Sequence, residues 1–176
     1  LAHARGCPRI QLYTNYDQPL TDPQRATMRD LVKRRAAAEP VAYLVGHREF
    51  FGLDFRVTKD VLIPRPDTET LVVDAIEALK LQAAPRVLDV GTGSGCIAIS
   101  LAVNCPNAEV TAIDLSQSAL DIAKSNAETH NVAHRIRWLC GDLFDPLTAD
   151  EQFDLIASHP PSIASAAVET LSADGR

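Results

Sequence analysis

The chain has 176 residues, of which 46% are hydrophobic and 23% are charged, and its formal net charge at pH 7 is -6. This composition is typical of a folded globular protein and excludes a disordered or fibrous one. No apolar run approaches the roughly 20 residues of a membrane span, and the N-terminus lacks a signal-peptide pattern, so we expect no membrane association and a cytoplasmic location. The negative charge disfavours nucleic acid as a partner.

The N-terminal segment predicts one helix. Residues 1 to 20 show little periodicity and contain two prolines, so we predict an irregular lead-in there or the tail of a missing element. Thr21 and Asp22 then precede Pro23 and an apolar stripe, which is typical of a helix start. We expect this helix to end near Pro40.

The next segment predicts a β-hairpin and a second helix. Apolar residues alternate with smaller or polar ones from Phe51 to Val57, which favours a strand. Residues 58 to 60 can turn the chain into a second short strand, VLI, so we predict a hairpin that ends at Pro64-Arg65-Pro66. Apolar residues on one face from Leu71 to Leu79 predict the helix.

The remainder of the chain predicts an α/β domain. Four short β-rich runs follow residue 85, namely RVLDV, EVTAID, IRWLC and FDLIAS, and the segments between the first three have helical patterns. Strands that alternate with helices are typical of a parallel, doubly wound sheet. The chain begins with Leu1 and stops soon after the fourth run, so we expect a fragment whose sheet is incomplete at its C-terminal end.

The cysteines do not predict a metal or disulfide site. They are scattered along the chain, at Cys7, Cys96, Cys105 and Cys140. Because they lack paired ligand spacing, we interpret them as reduced, mostly buried thiols. No other group of residues has the spacing of metal ligands, so we expect no metal.

The strongest functional signal is the run DVGTGSG at residues 89 to 95, between an apolar strand and a helical segment. Glycines suit a turn that passes close to a ligand and packs a helix tightly on a sheet. The third glycine follows the second after two positions, whereas the nicotinamide fingerprint requires three. The run is more similar to the glycine motif of class I methyltransferases, whose cofactor has no phosphates.

Two acidic residues follow the next two predicted strands. Asp114 ends the second strand, where its carboxylate can accept hydrogen bonds from both hydroxyls of a ribose. Because it lies two residues before Ser116, it could instead help to cap the next helix. Asp142 follows the third strand, where it can accept from the amine of an adenine while Leu143 covers the ring. An acid at such a position is often only a solvated loop residue.

Three segments together resemble a known family. SHPPSI, residues 158 to 163, is similar to the Asn-Pro-Pro-Tyr motif of methyltransferases that act on planar nitrogens of DNA or protein. YLVGHREFFGLDFRVTKDVLIPRPDTETLV, residues 43 to 72, together with DVGTGSGCIAISLA and FDLIASHPP, resembles the HemK/PrmC family of release factor glutamine methyltransferases. The resemblance runs from about residue 20 to the end of the chain.

The resemblance implies a Rossmann-like class I methyltransferase core that binds S-adenosyl-L-methionine. Its implied reaction is methylation of the glutamine in the Gly-Gly-Gln motif of class I peptide chain release factors. Residues 1 to 40 would be the remnant of an N-terminal helical substrate-recognition domain, and residues 41 to 84 a linking hairpin and helix. Residues 85 to 176 would be the incomplete cofactor-binding core.

The resemblance also implies roles for individual positions. Gly91, Thr92, Gly93, Ser94 and Gly95 would contact the methionine part of the cofactor, Asp114 the ribose, and Asp142 with Leu143 the adenine. His159, Pro160, Pro161 and Ser162 would bind the substrate amide. Arg65 would lie beside the cofactor, or could equally be a surface ion-pair partner.

The chain departs from the family motif at two substrate-binding positions. His159 replaces Asn and Ser162 replaces Tyr. A neutral His can present one ring nitrogen as an acceptor, but Ser has no aromatic face. Losing one aimed hydrogen bond typically costs about 10²–10³ in rate. Two other functions therefore stay open: a cofactor-binding protein with impaired or altered methyltransferase activity, and an amino-methyltransferase of another protein or DNA.

Overall fold

The computed structural model describes residues 1 to 160. The predicted site residues Pro161 and Ser162 lie outside this range. The described chain divides into two compact units, Leu1–Val45 and the part that begins at Gly46. The first unit contains four helices: α1 (Ala2–Arg5), α2 (Gln11–Thr14), α3 (Asp22–Ala36) and α4 (Val41–Val45).

Helix α3 begins where the sequence predicts. The Thr21 hydroxyl accepts a hydrogen bond from the Gln24 backbone N–H, and the Gln24 side chain accepts one from the Thr21 N–H. This reciprocal capping box satisfies two N–H groups that the helix cannot bond internally. The prediction that residues 1 to 20 are irregular is wrong, since α1 and α2 are single helical turns. Neither contains a buried residue, so no apolar periodicity marks them.

The second unit starts with the hairpin, but its strands differ from the predicted ones. Strand β1 (His47–Phe50) pairs antiparallel with β2 (Leu53–Arg56). The two central residues of the turn, Phe51 and Gly52, have φ of 52° and 73°, as a type I′ hairpin turn requires. The predicted second strand VLI, residues 61 to 63, is not a strand in the structure. The error arose because β1 reads HREF, three of whose four side chains are exposed, and so shows no apolar alternation.

The rest of the second unit confirms the predicted order of strands and helices. Helix α5 (Thr68–Leu79) leads into β3 (Arg86–Val90), α6 (Cys96–Asn104), β4 (Glu109–Asp114), α7 (Gln117–Thr129), a short 3₁₀ turn (Ala133–Arg135), β5 (Ile136–Cys140) and β6 (Leu155–Ser158). The four strands form one sheet in the order β5-β4-β3-β6, and every pairing is parallel. No helix within residues 1 to 160 combines the length and apolar character of a membrane span.

The central strands β3 and β4 are buried on both faces, and alternate residues of each strand serve the two faces. Val87 of β3 packs in the larger core, which also includes apolar residues of α5 and α6. Its neighbour Leu88 belongs to a smaller core, with Val90 and Ile113, against Leu147 and Phe153 of the chain between β5 and β6. Burial on both faces explains why these strands appear in the sequence as nearly continuous apolar runs.

The order of the strands creates a crevice at one point of the sheet. From β3 the chain moves outward through β4 to β5, and then returns to place β6 on the other side of β3. Ligands of open parallel sheets bind at the carboxyl ends of the strands where the direction of winding reverses. In this chain the glycine turn leaves β3 at that point.

The cysteines are all free thiols among the described residues, but they are not mostly buried as predicted. Cys96 is buried at the start of α6, whereas Cys140 is exposed at the end of β5. Burial raises the pKa of the Cys96 thiol to about 12. The sequence pattern cannot separate the two cases, because an end of a strand is apolar in sequence even where solvent reaches it.

Candidate functional site

The predicted site residues lie along the carboxyl edge of the sheet, where the parallel strands end together. Asp142 follows β5, Asp114 ends β4, Gly91 follows β3 and His159 follows β6. Since the strands are ordered β5-β4-β3-β6, the four positions succeed one another along this edge in the same order. Residues that are up to 68 positions apart in sequence thus form one continuous row.

The glycine turn is held against the end of β4. The backbone N–H groups of Gly91 and Thr92 both donate to the Ile113 carbonyl, at 2.9 Å each. Gly91 and Gly93 have φ of 74° and 56°, which L side chains rarely adopt. A Cβ built on either glycine would meet no protein atom within 4 Å. The backbone therefore borders open space here, which fits the close approach of a ligand.

Gly95 serves a different purpose from the first two glycines. It lies directly before α6, with φ 81°. A Cβ at this position would lie 2.8 Å from Ile99 Cδ1 and 3.1 Å from Ala123 Cβ. The missing side chain therefore lets α6 and α7 pack closely beside the turn.

Asp114 is already bonded to the turn and to the next helix. Its Oδ2 accepts from the Gly93 N–H at 2.8 Å, and its Oδ1 accepts from the Ser116 N–H at 2.9 Å. Ser116, not Asp114, is the residue that caps α7, by accepting from the Ala119 N–H at 3.2 Å. A carboxylate offers about four lone-pair positions. Asp114 therefore orders the site and still has acceptor positions for a ligand hydroxyl.

Asp89 is a buried acid that the sequence analysis did not single out. Its Oδ2 accepts from the Thr92 hydroxyl at 2.6 Å and from the Ala98 N–H at 3.1 Å. Burial raises the pKa of its carboxyl to about 6, although the two hydrogen bonds favour the ionised form. The side chain thus links the glycine turn to α6. The feature of the sequence that could have identified Asp89 is an acidic residue inside the apolar run RVLDV.

Asn126 is a second residue that the sequence analysis missed. It lies on α7 with 2% of its surface exposed. Its Oδ1 accepts from the Arg56 N–H at 2.8 Å, and its Nδ2 donates to the Arg56 carbonyl at 3.1 Å and to the Ser94 carbonyl at 2.9 Å. One side chain therefore joins the hairpin, α7 and the glycine turn. The feature of the sequence that could have identified it is a polar residue among the alanines of the buried face of α7.

A cleft joins the glycine turn to the end of β6. Its walls are the turn itself, residues 62 to 65, Thr68, and His159 with Pro160. The segment predicted as a second hairpin strand therefore forms one wall, and Arg65 lies in it. His159 Nδ1 is 2.7 Å from the hydroxyl of Thr68, the first residue of α5. The Ser158 hydroxyl donates to the Val90 carbonyl at 2.9 Å, which ties the end of β6 to β3.

Asp142 and Leu143 do not line this cleft; they lie farther along the sheet edge. The Gly141 N–H donates to the Asp114 carbonyl at 3.1 Å, so the chain passes close to the end of β4 immediately before Asp142. Leu143 is 60% exposed. Leu115, the residue after Asp114, is 72% exposed. Two exposed leucines thus follow neighbouring strands. Leu115 was not predicted, because a single apolar loop residue has no distinctive pattern.

The described residues contain no cluster of three or more His, Cys, Asp or Glu side chains that could hold a metal ion. The accessible polar groups of the edge include hydrogen-bond acceptors, namely the carboxylates of Asp114 and Asp142. The glycine turn adds backbone groups beside open space. This arrangement can bind an extended ligand that has hydroxyl and amine donors.

Comparison with known proteins identifies both units. A family model of the PrmC N-terminal domain matches residues 1–46, and a methyltransferase domain model matches residues 87–172. The solved structure of an S-adenosylmethionine-dependent methyltransferase from Agrobacterium tumefaciens shares the fold, with TM-score 0.55 at 23% identity over 65% of this chain and 39% of that chain. The N-terminal domain of human METTL16, solved in complex with SAH, matches with TM-score 0.50 at 25% identity over 65% of this chain and 49% of that chain.

Curated relatives are more similar in sequence. The release factor glutamine methyltransferase of Rhodopirellula baltica is 49% identical over 97% of this chain, and that of Bordetella pertussis is 51% identical over 92%. The chain spans 59% of the length of each of these two relatives. The matches extend across both units and include the segments that carry the resemblance noted in the sequence. The chain therefore belongs to the HemK/PrmC family of release factor glutamine methyltransferases.

Proposed function

We propose that the protein transfers a methyl group from S-adenosyl-L-methionine to the side-chain amide nitrogen of the glutamine in the Gly-Gly-Gln motif of class I peptide chain release factors. The observation that carries this proposal is the cleft in which the glycine turn faces His159 and Pro160. A donor bound at the turn and an amide bound at the end of β6 would share one small space. The names of the curated relatives support the same reaction.

The residues along the sheet edge fit the parts of this cofactor in order. The methionine part would lie against Gly91 and Gly93, where the backbone borders open space. The ribose hydroxyls would donate to the remaining acceptor positions of Asp114, and the adenine would lie beyond them, beside Asp142 and Leu143. When bound, the cofactor supplies a methyl group on a positively charged sulfur. The human METTL16 domain, which has a similar fold, was solved in complex with SAH.

The substrate side of the cleft has to orient a weak nucleophile. The nitrogen of an amide is a poor nucleophile because its lone pair is delocalised into the carbonyl group. The described residues that line the cleft include no carboxylate and no lysine. The rate would therefore come from positioning and from dipoles placed in advance. His159 and Pro160, followed in sequence by Pro161 and Ser162, are the proposed substrate-binding residues.

Within this proposal the three predicted regions have separate tasks. Residues 1 to 40 would help to grip the release factor, in keeping with the match to the PrmC N-terminal domain. Residues 41 to 84 would link this region to the core and supply the wall of the cleft that includes Arg65. Residues 85 to 176 would hold the cofactor.

A second candidate is a cofactor-binding protein with impaired or altered transfer activity. The observation that favours it is the replacement of the family's Asn by His159 and of its Tyr by Ser162. Both changes lie on the proposed substrate side, whereas the glycine turn and Asp114 are present at the proposed cofactor side. Binding and transfer must therefore be measured separately.

The test is to incubate the purified chain with S-adenosyl-L-methionine and a class I release factor, and to search the Gly-Gly-Gln peptide for an added methyl group by mass spectrometry. A release factor with this glutamine changed to alanine is the control for the position of the methyl group. Calorimetry on the same protein measures cofactor binding. We expect both binding and methylated glutamine, and a faster reaction for His159→Asn. Binding without methylation in either protein would refute the proposal and support the second candidate.

A further inference from the structure

We propose that Thr68 is a positioning residue that makes His159 a hydrogen-bond donor, so that the site holds its substrate amide by the carbonyl oxygen. The identity of the substrate in this statement rests on the proposed function, whereas the state of the His159 ring does not. The two can therefore be tested independently.

The geometry ties His159 to a fixed point of the fold. Thr68 is 5% exposed, and its Oγ1 lies 2.7 Å from His159 Nδ1. Thr68 is the first residue of α5, and its backbone N–H donates to the Arg65 carbonyl at 3.1 Å. Because a β-branched side chain on a helix has few χ1 states, the hydroxyl is held in place by the start of the helix. Nε2 is then the ring nitrogen left for a ligand.

The direction of this hydrogen bond follows from the hydroxyl's own needs. A threonine hydroxyl has one donor and two acceptor positions. Among the described residues, His159 is the sole hydrogen-bond partner of the Thr68 hydroxyl. If Nδ1–H donated to Oγ1, the buried O–H would have no acceptor, and buried unsatisfied donors are rarer and more costly than unsatisfied lone pairs. The hydroxyl therefore donates to Nδ1, and the proton of the neutral ring lies on Nε2.

The position of Thr68 at the start of α5 favours the same arrangement. The first turn of a helix has a partial positive charge, which stabilises an acceptor that faces it more than a donor. The Nδ1 lone pair is such an acceptor. Two independent effects therefore select the Nε2–H form of His159.

This form reverses the polarity of the site relative to the family motif. A glutamine amide presents both a carbonyl acceptor and NH2 donors. The side-chain oxygen of Asn in the family motif can accept from the NH2 group, whereas Nε2–H of His159 can only donate, and its partner on the amide is the carbonyl oxygen. Thr68 thus determines which atom of the substrate faces position 159.

The test that does not depend on activity is ¹⁵N NMR of the full chain labelled at histidine nitrogens, at about pH 8, where a neutral imidazole predominates. Five histidines are present, and His159→Asn identifies the signals of His159 by their loss. We expect the Nε2–H form in the wild-type protein and in Thr68→Ser. Thr68→Val should shift the Nδ1 signal because its hydrogen bond is gone. Thr68→Asp, whose carboxylate can only accept, should convert the ring to the Nδ1–H form.

An Nδ1–H form in the wild-type protein, or an Nδ1 signal that Thr68→Val leaves unchanged, would overturn the inference. If Thr68→Val fails to fold, the wild-type and Thr68→Ser spectra still decide it. In the methylation assay we expect about a tenfold lower kcat/KM for Thr68→Val and nearly wild-type values for Thr68→Ser. Absence of methylation in every protein would refute the proposed function, while the NMR result would continue to test the role of Thr68.

Discussion

Replacing Gly95 with alanine should destabilise the protein more than the same change at Gly93, although both glycines have positive φ. An alanine in the left-handed region costs about 1–2 kcal/mol relative to its preferred conformations. At Gly93 this is the whole penalty, because a Cβ there meets no protein atom within 4 Å. At Gly95 the Cβ would also lie 2.8 Å from Ile99 Cδ1 and 3.1 Å from Ala123 Cβ. Overpacking of this kind typically costs about 1–3 kcal/mol more.

The surroundings of Gly95 give little room for adjustment. Ile99 is fully buried, and Ala123 has no rotatable side-chain torsion that could move its Cβ aside. We therefore expect Gly95→Ala to lower the free energy of unfolding by about 2–5 kcal/mol, against about 1–2 kcal/mol for Gly93→Ala. Urea unfolding followed by circular dichroism measures both values.

For cofactor affinity we expect the opposite order: Gly93→Ala should weaken binding more, relative to its effect on stability, than Gly95→Ala. The Cβ of Gly93→Ala would occupy the open space proposed for the methionine part of the cofactor, so we expect at least a tenfold weaker affinity in a folded protein. Calorimetry with S-adenosyl-L-methionine measures it. Equal destabilisation by the two substitutions would refute the assignment of Gly95 to packing. Unchanged affinity in Gly93→Ala would refute the assignment of Gly93 to the ligand.

Three other predictions concern side chains of the second unit. Asn126→Ala should lower the free energy of unfolding by about 2–4 kcal/mol, because it removes three hydrogen bonds, one of them to the buried Ser94 carbonyl. Asn104→Ala, which removes a single hydrogen bond, should cost less than about 1.5 kcal/mol. Urea unfolding measures both variants, and equal losses for Asn126→Ala and Asn104→Ala would contradict this prediction. The raised pKa of Asp89, about 6, means that the folded state binds more protons than the unfolded state between about pH 4 and pH 6. Its contribution to stability is thus present at the lower pH and falls by about 3 kcal/mol as pH rises through this range. Asp89→Asn should remove that slope, and an unchanged slope in urea titrations would contradict it. In the native protein at pH 8, iodoacetamide should modify Cys140 but spare Cys96, whose pKa is raised to about 12 by burial. Peptide mapping by mass spectrometry checks this, and equal modification would show that α6 opens.

The hairpin and Asn126 show where prediction from the sequence stopped. The alternation from Phe51 to Val57 identified β2 correctly, because that strand has one buried face. Its partner β1 has mostly exposed side chains, so its pairing depends on backbone hydrogen bonds that leave no pattern in the sequence. Asn126 likewise looks like one polar residue on a helix. Its importance comes from backbone groups 70 and 32 positions away in the chain.

The sequence by itself determined the order of strands and helices from residue 68 to residue 158, because short β-rich apolar runs alternate there with segments of helical pattern. It also determined the candidate positions Gly91, Asp114 and His159, since Gly91 and His159 directly follow predicted strands and Asp114 ends one. Only the tertiary structure decided that Gly91 and His159 face one cleft and that Asp114 lies on the same edge of the sheet, because the strand order β5-β4-β3-β6 is set by packing between distant segments. The same is true of the contact between Thr68 and His159, 91 residues apart, which no local pattern encodes.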